Sequence, residues 1–455
     1  MITFISATVC NNIIEEELLS LIMRSFFNLR QNNTTIQTEI LAGFSTFLAT
    51  AYIIVVNPSI LSKTGMPFNG VVTATVLICF FSSLLMGLYA NNPVVVAPGM
   101  GLNAFFTYTV VMVMGVAWQT ALGAVFWSGI FFLVLSVFNI RTYIVKAIPR
   151  PLRYAIAAGI GLFITLIGLE NSGFIIRNGA TILAHAPMSA TVLIFVTGLL
   201  LTAILLVRRI NGAILIGIIV TTLLSAGIGR WWSEGVTVVN FKGVFASPDF
   251  SLVGKMDIVG SLKLSVLPVI FAFVFTDLFD SLSTLVGLSE AANLVDENGD
   301  PRNIKKALIT DAMSTTIAGI VGCSPGTAYI ESAVGIEEGG RTGLTAVVAA
   351  LLFLPFLFLA PLLSIIPSIA TAPALVLVGS FMLRPITKIN WLMIDEAIPA
   401  FIAMIVIPFT YSISQGIIWG FLSWTVIKIA AGKIKDTSVT LVIIDVFCVM
   451  ALIMG

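Results

Sequence analysis

Asn92-Pro-Val-Val-Val-Ala-Pro-Gly-Met-Gly-Leu-Asn103 opens as an extended, β-branched segment and closes as the start of a helix. Pro98, Gly99 and Gly101 together resist a regular helix, because a proline inside one costs about 3 kcal/mol and a glycine about 1 kcal/mol. Gly322-Cys-Ser-Pro-Gly-Thr-Ala-Tyr-Ile-Glu331 has the same character. Both stretches lie within apolar surroundings, and unwound backbone is tolerated at membrane depth only when buried in protein or lining a cavity. Two discontinuous segments are therefore predicted, each half strand and half helix. Asn103 follows Pro98 by five residues and Glu331 follows Pro325 by six. Each is expected near the start of a half-helix close to the bilayer midplane, facing its twin.

The composition requires a membrane around these segments. Of 455 residues, 58% are hydrophobic and 10% charged, against about 25% charged in ordinary soluble domains. A net charge of +1 offers no basic face to release counterions from phosphates, so a nucleic-acid partner is excluded. Cys10, Cys79, Cys323 and Cys448 lack the paired spacing of a zinc site or disulfide framework. No cofactor, metal site, Ser-His pairing or P-loop is indicated, which counts against an enzyme.

Apolar runs able to cross a hydrocarbon core of about 30 Å fall near 39–60, 70–90, 92–115, 119–138, 149–168, 190–208, 211–229, 263–289, 304–322, 326–338, 341–366, 369–385, 395–413 and 414–431. The predicted fold is thus an all-α polytopic membrane protein of fourteen spans, the third and tenth discontinuous. With both termini in the cytoplasm, basic residues such as Arg141, Lys146, Arg302, Arg341, Arg384 and Lys428 fall inside. Only Lys63, Arg177, Arg230, Lys242, Lys255 and Lys263 fall outside, the bias expected of a plasma or inner membrane protein. The chain also repeats. Thr120-Ala-Leu-Gly-Ala-Val125 resembles Thr342-Gly-Leu-Thr-Ala-Val347, Phe131 matches Phe353, and Ile148-Pro149 recurs as Ile366-Pro367 with Gly161 and Gly379 at one offset. Two halves of seven spans have an odd number of crossings each, so the second enters the membrane inverted, the 7+7 arrangement of secondary transporters.

Asp277 and Asp280 lie in the apolar run 265–288, and Glu331 follows the second Pro-Gly. A carboxylate at mid-bilayer costs roughly 2.5–3.5 kcal/mol on insertion scales, so three of them point to a transport site. Ser281 and Thr284 stand four residues after Asp277 and Asp280 and complete one polar stripe on a helix. Phe105, Phe106, Phe279 and Tyr329 are candidates to stack on a flat ligand, with membrane packing the plainer reading. Asp311, close to Lys305 and Lys306, is open between structure and function, and His185 reads as a solvated loop residue.

The segments Thr38-Glu-Ile-Leu-Ala-Gly-Phe-Ser-Thr-Phe-Leu-Ala-Thr-Ala-Tyr-Ile-Ile-Val-Val-Asn-Pro58, Ala97-Pro-Gly-Met-Gly-Leu-Asn-Ala-Phe-Phe106, Thr276-Asp-Leu-Phe-Asp280, Tyr329-Ile-Glu-Ser-Ala-Val-Gly335 and Glu338-Gly-Gly-Arg-Thr-Gly-Leu-Thr-Ala346 resemble the AzgA-like adenine, guanine and hypoxanthine permeases of the nucleobase:cation symporter-2 (xanthine/uracil permease) family. The resemblance runs from about residue 34 to 431. It departs at Ala328, where many members carry threonine, and residues 1–22 have no counterpart, so Met23 is an alternative start. It implies a core domain of 39–138 and 263–366 (spans 1–4 and 8–11) and a gate domain of 149–229 and 369–431 (spans 5–7 and 12–14). A cytoplasmic segment 1–38 precedes them and a tail 432–455 with an apolar stretch follows.

Carried over, the substrate-binding residues are Asp277 or Asp280, Glu331, Asn103 and Tyr329, with Phe106 alongside. Asp277, Asp280 and Glu331 are also the candidates for proton coupling. The chemistry agrees, since an ionised carboxylate is an acceptor-only group able to take purine N–H donors. The expected function is import of purine nucleobases by proton symport, with purine, proton and lipid bilayer as partners and a homodimer as candidate assembly. The alternative is an anion or uracil/xanthine transporter on the same fold.

Overall fold

A computed structural model describes residues 25–138, 148–179, 181–231, 243–292, 294–295, 302–433 and 437–454. Residues 1–24, the basic loop with Arg141 and Lys146, and the side chain of Phe279 lie outside the described residues. α1 (Ile36–Thr50) begins at Thr35, whose hydroxyl accepts the Thr38 N–H, a cap worth about 1 kcal/mol. The chain tightens at Ala51 and Tyr52, where the Ile54 and Val55 N–H groups reach carbonyls three residues back. α2 (Ile53–Leu61) then completes the first span.

α3 (Phe68–Leu88), β1 (Val96–Pro98) and α4 (Met100–Ala104) follow, and α4 continues as π-helical turns over Phe105–Val113. Next come α5 (Trp118–Val137), α6 (Arg150–Asn171), the strands β2 (Ile175–Asn178) and β3 (Ile182–His185), α7 (Ala190–Val207) and α8 (Ala213–Trp231). The second half holds α9 (Leu267–Ala292), α10 (Ile304–Val321), β4 (Gly326–Ala328) and α11 (Ala333–Glu337), then α12 (Gly343–Phe353), α13 (Ser368–Met382), α14 (Ile394–Thr410), α15 (Ile413–Ala430) and α16 (Val439–Met454). Among the described residues, eight helices are long and apolar enough to cross a membrane. Shorter apolar helices occur at Met100–Val113, Ala213–Gly227 and Gly343–Phe358. The region around His185, read from sequence as a loop, is instead a hairpin in which β2 pairs with β3 and His185 is exposed.

β1 and β4 pair antiparallel, Val96 opposite Ala328 and Pro98 opposite Gly326. Two strands of three residues leave most of their hydrogen-bonding groups to be satisfied by neighbours. Ser83 of α3 both accepts from the Val96 N–H and donates to its carbonyl, each at 3.1 Å. Ser332 takes the Val95 N–H at 3.0 Å, and the Thr315 hydroxyl of α10 lies 3.2 Å from the Gly326 carbonyl. The two Pro-Gly pairs do not occupy equivalent places: Pro98 ends its strand, whereas Pro325 precedes the other. Matching the Pro-Gly pairs therefore leaves the two strands a few residues out of step with each other.

The repeat is clearest in α6 and α13. Pro149 and Pro367 both sit extended at the helix start, a position where a missing N–H costs nothing. Twelve residues on, Gly161 and Gly379 face each other: a Cβ on Gly379 would lie 2.4 Å from the Gly161 carbonyl oxygen. The two equivalent helices cross where only hydrogen fits. α6 also packs on α14, and α14 on α15; elsewhere α10 packs against α5, and α12 against α1 and α3.

The motif from Glu338 to Ala346 acquires a physical reason here. Glu39 of α1 is fully buried, and its carboxylate accepts the N–H groups of Arg341 (2.9 Å), Thr342 (3.3 Å) and Thr345 (3.2 Å) and the Thr345 hydroxyl (2.6 Å). An acid at the start of α12 satisfies N–H groups that the helix itself leaves unpaired. Arg302 closes the seat by donating to the Arg341 carbonyl at 2.6 Å. Burial lowers its guanidinium from the usual range, and the charge of Glu39 opposes that shift.

Candidate functional site

Three elements meet at the paired strands: the β1–α4 arm, the β4–α11 arm and α9, with α1 and α2 running behind them. Glu331 is half-buried in the 3-10 turn Ile330–Ser332 that follows β4. Its Oε1 accepts the hydroxyl of Tyr52 at 2.6 Å. Tyr52 itself is fully buried at the tightened turn between α1 and α2.

Asp280 and Asp277 point to different partners. Asp280 is half-buried, 3.5 Å from the Thr327 hydroxyl on β4 and within electrostatic range of Glu331. Thr327 in turn shares a 2.8 Å hydroxyl contact with Ser281. Asp277 is buried and accepts the Thr315 hydroxyl of α10 at 2.7 Å, with Ser281 at 3.5 Å. The stripe read from spacing is thus split, one aspartate turned to the arm and the other to a neighbouring helix. Asp311, near lysines in the sequence, is fully buried within α10.

The first arm is built from neutral groups. Asn103 is fully buried and donates through Nδ2 to Asn57 Oδ1 of α2 at 3.1 Å. Asn57 donates to Thr75 Oγ1 of α3 at 2.8 Å and to Cys323 Sγ at 3.3 Å, and the Ser324 hydroxyl reaches its Oδ1 at 3.4 Å. Tyr329 is buried, its hydroxyl donating to the Pro98 carbonyl at 2.5 Å, so it ties one arm to the other. Phe105 and Phe106 are fully buried, Phe105 edge-on to Phe273 of α9 at 5.0 Å and Phe106 tilted to the same ring at 6.5 Å. A cavity of about 510 Å³ lies elsewhere, between the β2–β3 hairpin and the ends of α6 and α14, where Glu170, Arg177 and Tyr411 line it.

This geometry sits on a chain whose residues 37–418 match the Permease family model Xan_ur_permease. The chain belongs to this permease family. Adenine permease AdeP of Escherichia coli (strain K12) is 42% identical over 430 residues, covering 94% of this chain and 95% of that protein. Guanine/hypoxanthine permease PbuO of Bacillus subtilis (strain 168) is 39% identical over 418 residues, covering 90% and 95%. Among solved structures, the transmembrane domain of a cyanobacterium bicarbonate transporter, BicA, superposes with a TM-score of 0.63 at 14% identity over 83% of this chain and 97% of that one. SLC26A9 gives 0.61 at 12% identity over 87% and 66%. The chain is accordingly a multi-pass membrane permease and not an enzyme, on the fold of these inverted-repeat transporters.

The side chains that hold the permease's two arms and its carboxylates were not singled out in the sequence. Tyr52, Asn57, Thr75, Thr315 and Thr327 carry the hydrogen bonds that fix Glu331, Asn103, Asp277 and Asp280. The one signal in the sequence was Asn57-Pro58, a polar residue beside a helix breaker inside an apolar run.

Proposed function

We propose that this permease imports purine nucleobases, adenine, guanine or hypoxanthine, by proton symport, the purine sitting between the two arms and α9. The observation that carries this reading is Glu331, a carboxylate at the break of an unwound arm, held by Tyr52 and beside Asp280. Such a group accepts N–H donors and has no donor of its own when ionised, which matches the edges of a neutral purine. Relatives of about 40% identity named for adenine and for guanine and hypoxanthine support the substrate class.

Asp277, Asp280 and Glu331 are the groups that take the coupled proton, and Asn103, Tyr329 and Phe106 complete the site. Transport proceeds by alternating access: spans 1–4 and 8–11 form a core that keeps the ligand, and spans 5–7 and 12–14 form a gate that moves against it, with both termini in the cytoplasm. The packing of α6 with α13 and α14, and of α10 and α12 with α5, α1 and α3, supports this division.

Proteoliposomes with an imposed pH gradient test it, using radiolabelled adenine, guanine, hypoxanthine, xanthine and uracil. Purine accumulation that follows an inward proton gradient is expected. Uptake indifferent to the gradient removes the symport, and transport of bicarbonate in place of purines would favour the anion reading, against which the carboxylates argue by repulsion.

A further inference from the structure

The donors and acceptors around Asn103 allow one arrangement of its amide. The Thr75 hydroxyl lies 2.7 Å from the Val71 carbonyl, which accepts only, so the single hydroxyl proton of Thr75 is committed there. The atom of Asn57 that contacts Thr75 Oγ1 at 2.8 Å must then be a donor, which fixes it as Nδ2. Asn57 therefore turns Oδ1 the other way, where it receives Asn103 Nδ2 at 3.1 Å and the Ser324 hydroxyl at 3.4 Å. The second Nδ2 proton of Asn103 meets Met100 Sδ at 3.8 Å. Asn103 Oδ1 is left buried and without a partner among the described residues.

We infer that Thr75 and Asn57 form a relay that sets the polarity of Asn103, presenting it to the permease's ligand as a hydrogen-bond acceptor. Neither relay residue needs to touch the ligand; both are positioning residues, and Thr75 stands two side chains away. The inference rests on the purine reading above and deepens it, since it adds selectivity for a ligand bearing N–H opposite Asn103. A buried acceptor with no partner is costly unless a ligand or water supplies the proton. A ligand that turns a lone pair toward Oδ1 leaves two acceptors facing each other and is rejected strongly.

The relay has a defined way to fail. Valine at position 75 keeps the shape of threonine but offers no acceptor, so only the weak Cys323 sulfur holds the Asn57 Nδ2. Asn57 is then free to reverse, because the Cys323 thiol can donate to Oδ1 in its new position. Asn103 reverses with it and presents a donor. Thr75→Ser keeps the hydroxyl and should keep the relay.

The experiment measures uptake by wild type, Thr75→Val and Thr75→Ser in proteoliposomes, with inhibition constants for adenine, hypoxanthine, 7-deazahypoxanthine and 9-deazahypoxanthine. Adenine and hypoxanthine exchange donor for acceptor on the six-membered ring, and the deaza compounds fix the N–H on one side of the five-membered ring. In Thr75→Val at least one ratio between two of these purines should change by about tenfold or more, and in Thr75→Ser every ratio should hold. Thr75→Ala removes the same acceptor with less bulk and stands in if the valine protein does not fold. A common factor for all four purines, or no change, in a folded variant overturns the relay and marks Thr75 as structural only. Absence of purine uptake or binding by the wild-type protein would instead overturn the parent reading, and with it the relay.

Discussion

The two arms share a geometry and differ in chemistry. The β1–α4 arm ends in a buried, neutral amide woven into a network of five side chains, Asn103, Asn57, Thr75, Cys323 and Ser324. The β4–α11 arm ends in a half-buried carboxylate held by the hydroxyl of Tyr52. A single span serves both, since Tyr52 and Asn57 lie five residues apart across α2. Paired strands can thus carry different side-chain chemistry, a neutral amide on one arm and a carboxylate on the other. The largest effect should come from abolishing that asymmetry. Glu331→Gln keeps the shape but exchanges one acceptor for a donor, and a purine N–H left unpaired costs about 1–3 kcal/mol. Uptake should fall by about fivefold or more, measured as initial rate in proteoliposomes at matched expression. Near-normal uptake would remove Glu331 from the site.

The aspartates of α9 sharpen the same contrast between a group facing the arm and a group held by a neighbour. Asp280 is expected to contact purine, and Asp280→Asn should lose equilibrium binding. Asp277 is enclosed by Thr315 and Ser281, so Asp277→Asn should keep binding and exchange while losing accumulation driven by a pH gradient. Binding and counterflow assays on both variants separate these outcomes, and wild-type accumulation in both would dissolve the coupling role.

The arms were legible because prolines and glycines inside apolar runs have few structural solutions, and the carboxylates because membrane burial makes each one expensive. Of the fourteen apolar runs, eight helices among the described residues are long and apolar enough to cross a membrane, because hydrophobic length is a local property of the chain whereas breaks such as those at 326–338 are not. Partners were a different matter. Nothing near Asn103 in the sequence points to Asn57 or Thr75, 46 residues away in one case and held by a third element in the other. Likewise the π-helical turns over Phe105–Val113 leave no mark in a run of ordinary apolar and aromatic residues. Contacts across sequence are set by packing, which spacing alone does not encode.

Gly379 shows what a repeat match gains once the fold is known. The repeat singled it out only as the counterpart of Gly161. In the fold it meets Gly161 across the α6–α13 crossing, a contact between two equivalent helices of the proposed gate. Gly379→Leu should therefore strain that crossing, since the added Cβ alone lies 2.1 Å from the Thr165 hydroxyl, and overpacking of this kind costs about 1–3 kcal/mol. A lower melting temperature and slower uptake are expected, with purine affinity in the folded fraction within about threefold of wild type. Collapse of affinity with normal stability would place the glycine in the ligand site.

The smallest effect should come from Tyr52→Phe, which tests how firmly the charged arm is held. The ring stays in its buried seat and only the hydroxyl that donates to Glu331 at 2.6 Å is lost. Glu331 keeps its carboxylate and its half-buried position, so the site survives with a less restrained acceptor. A hydrogen bond to a charged group contributes about 1.5–3 kcal/mol at most, and part of that returns when water or the ligand fills the vacated lone pair. Purine affinity should weaken by about threefold to tenfold with the maximal rate little changed. In a Glu331→Gln background the same substitution should add almost nothing, because the two residues act through one bond and their effects are then not additive. Additive losses in the double variant would show that Tyr52 reaches the ligand by a path that does not pass through Glu331, and the two arms would then share more of the binding than their side chains suggest.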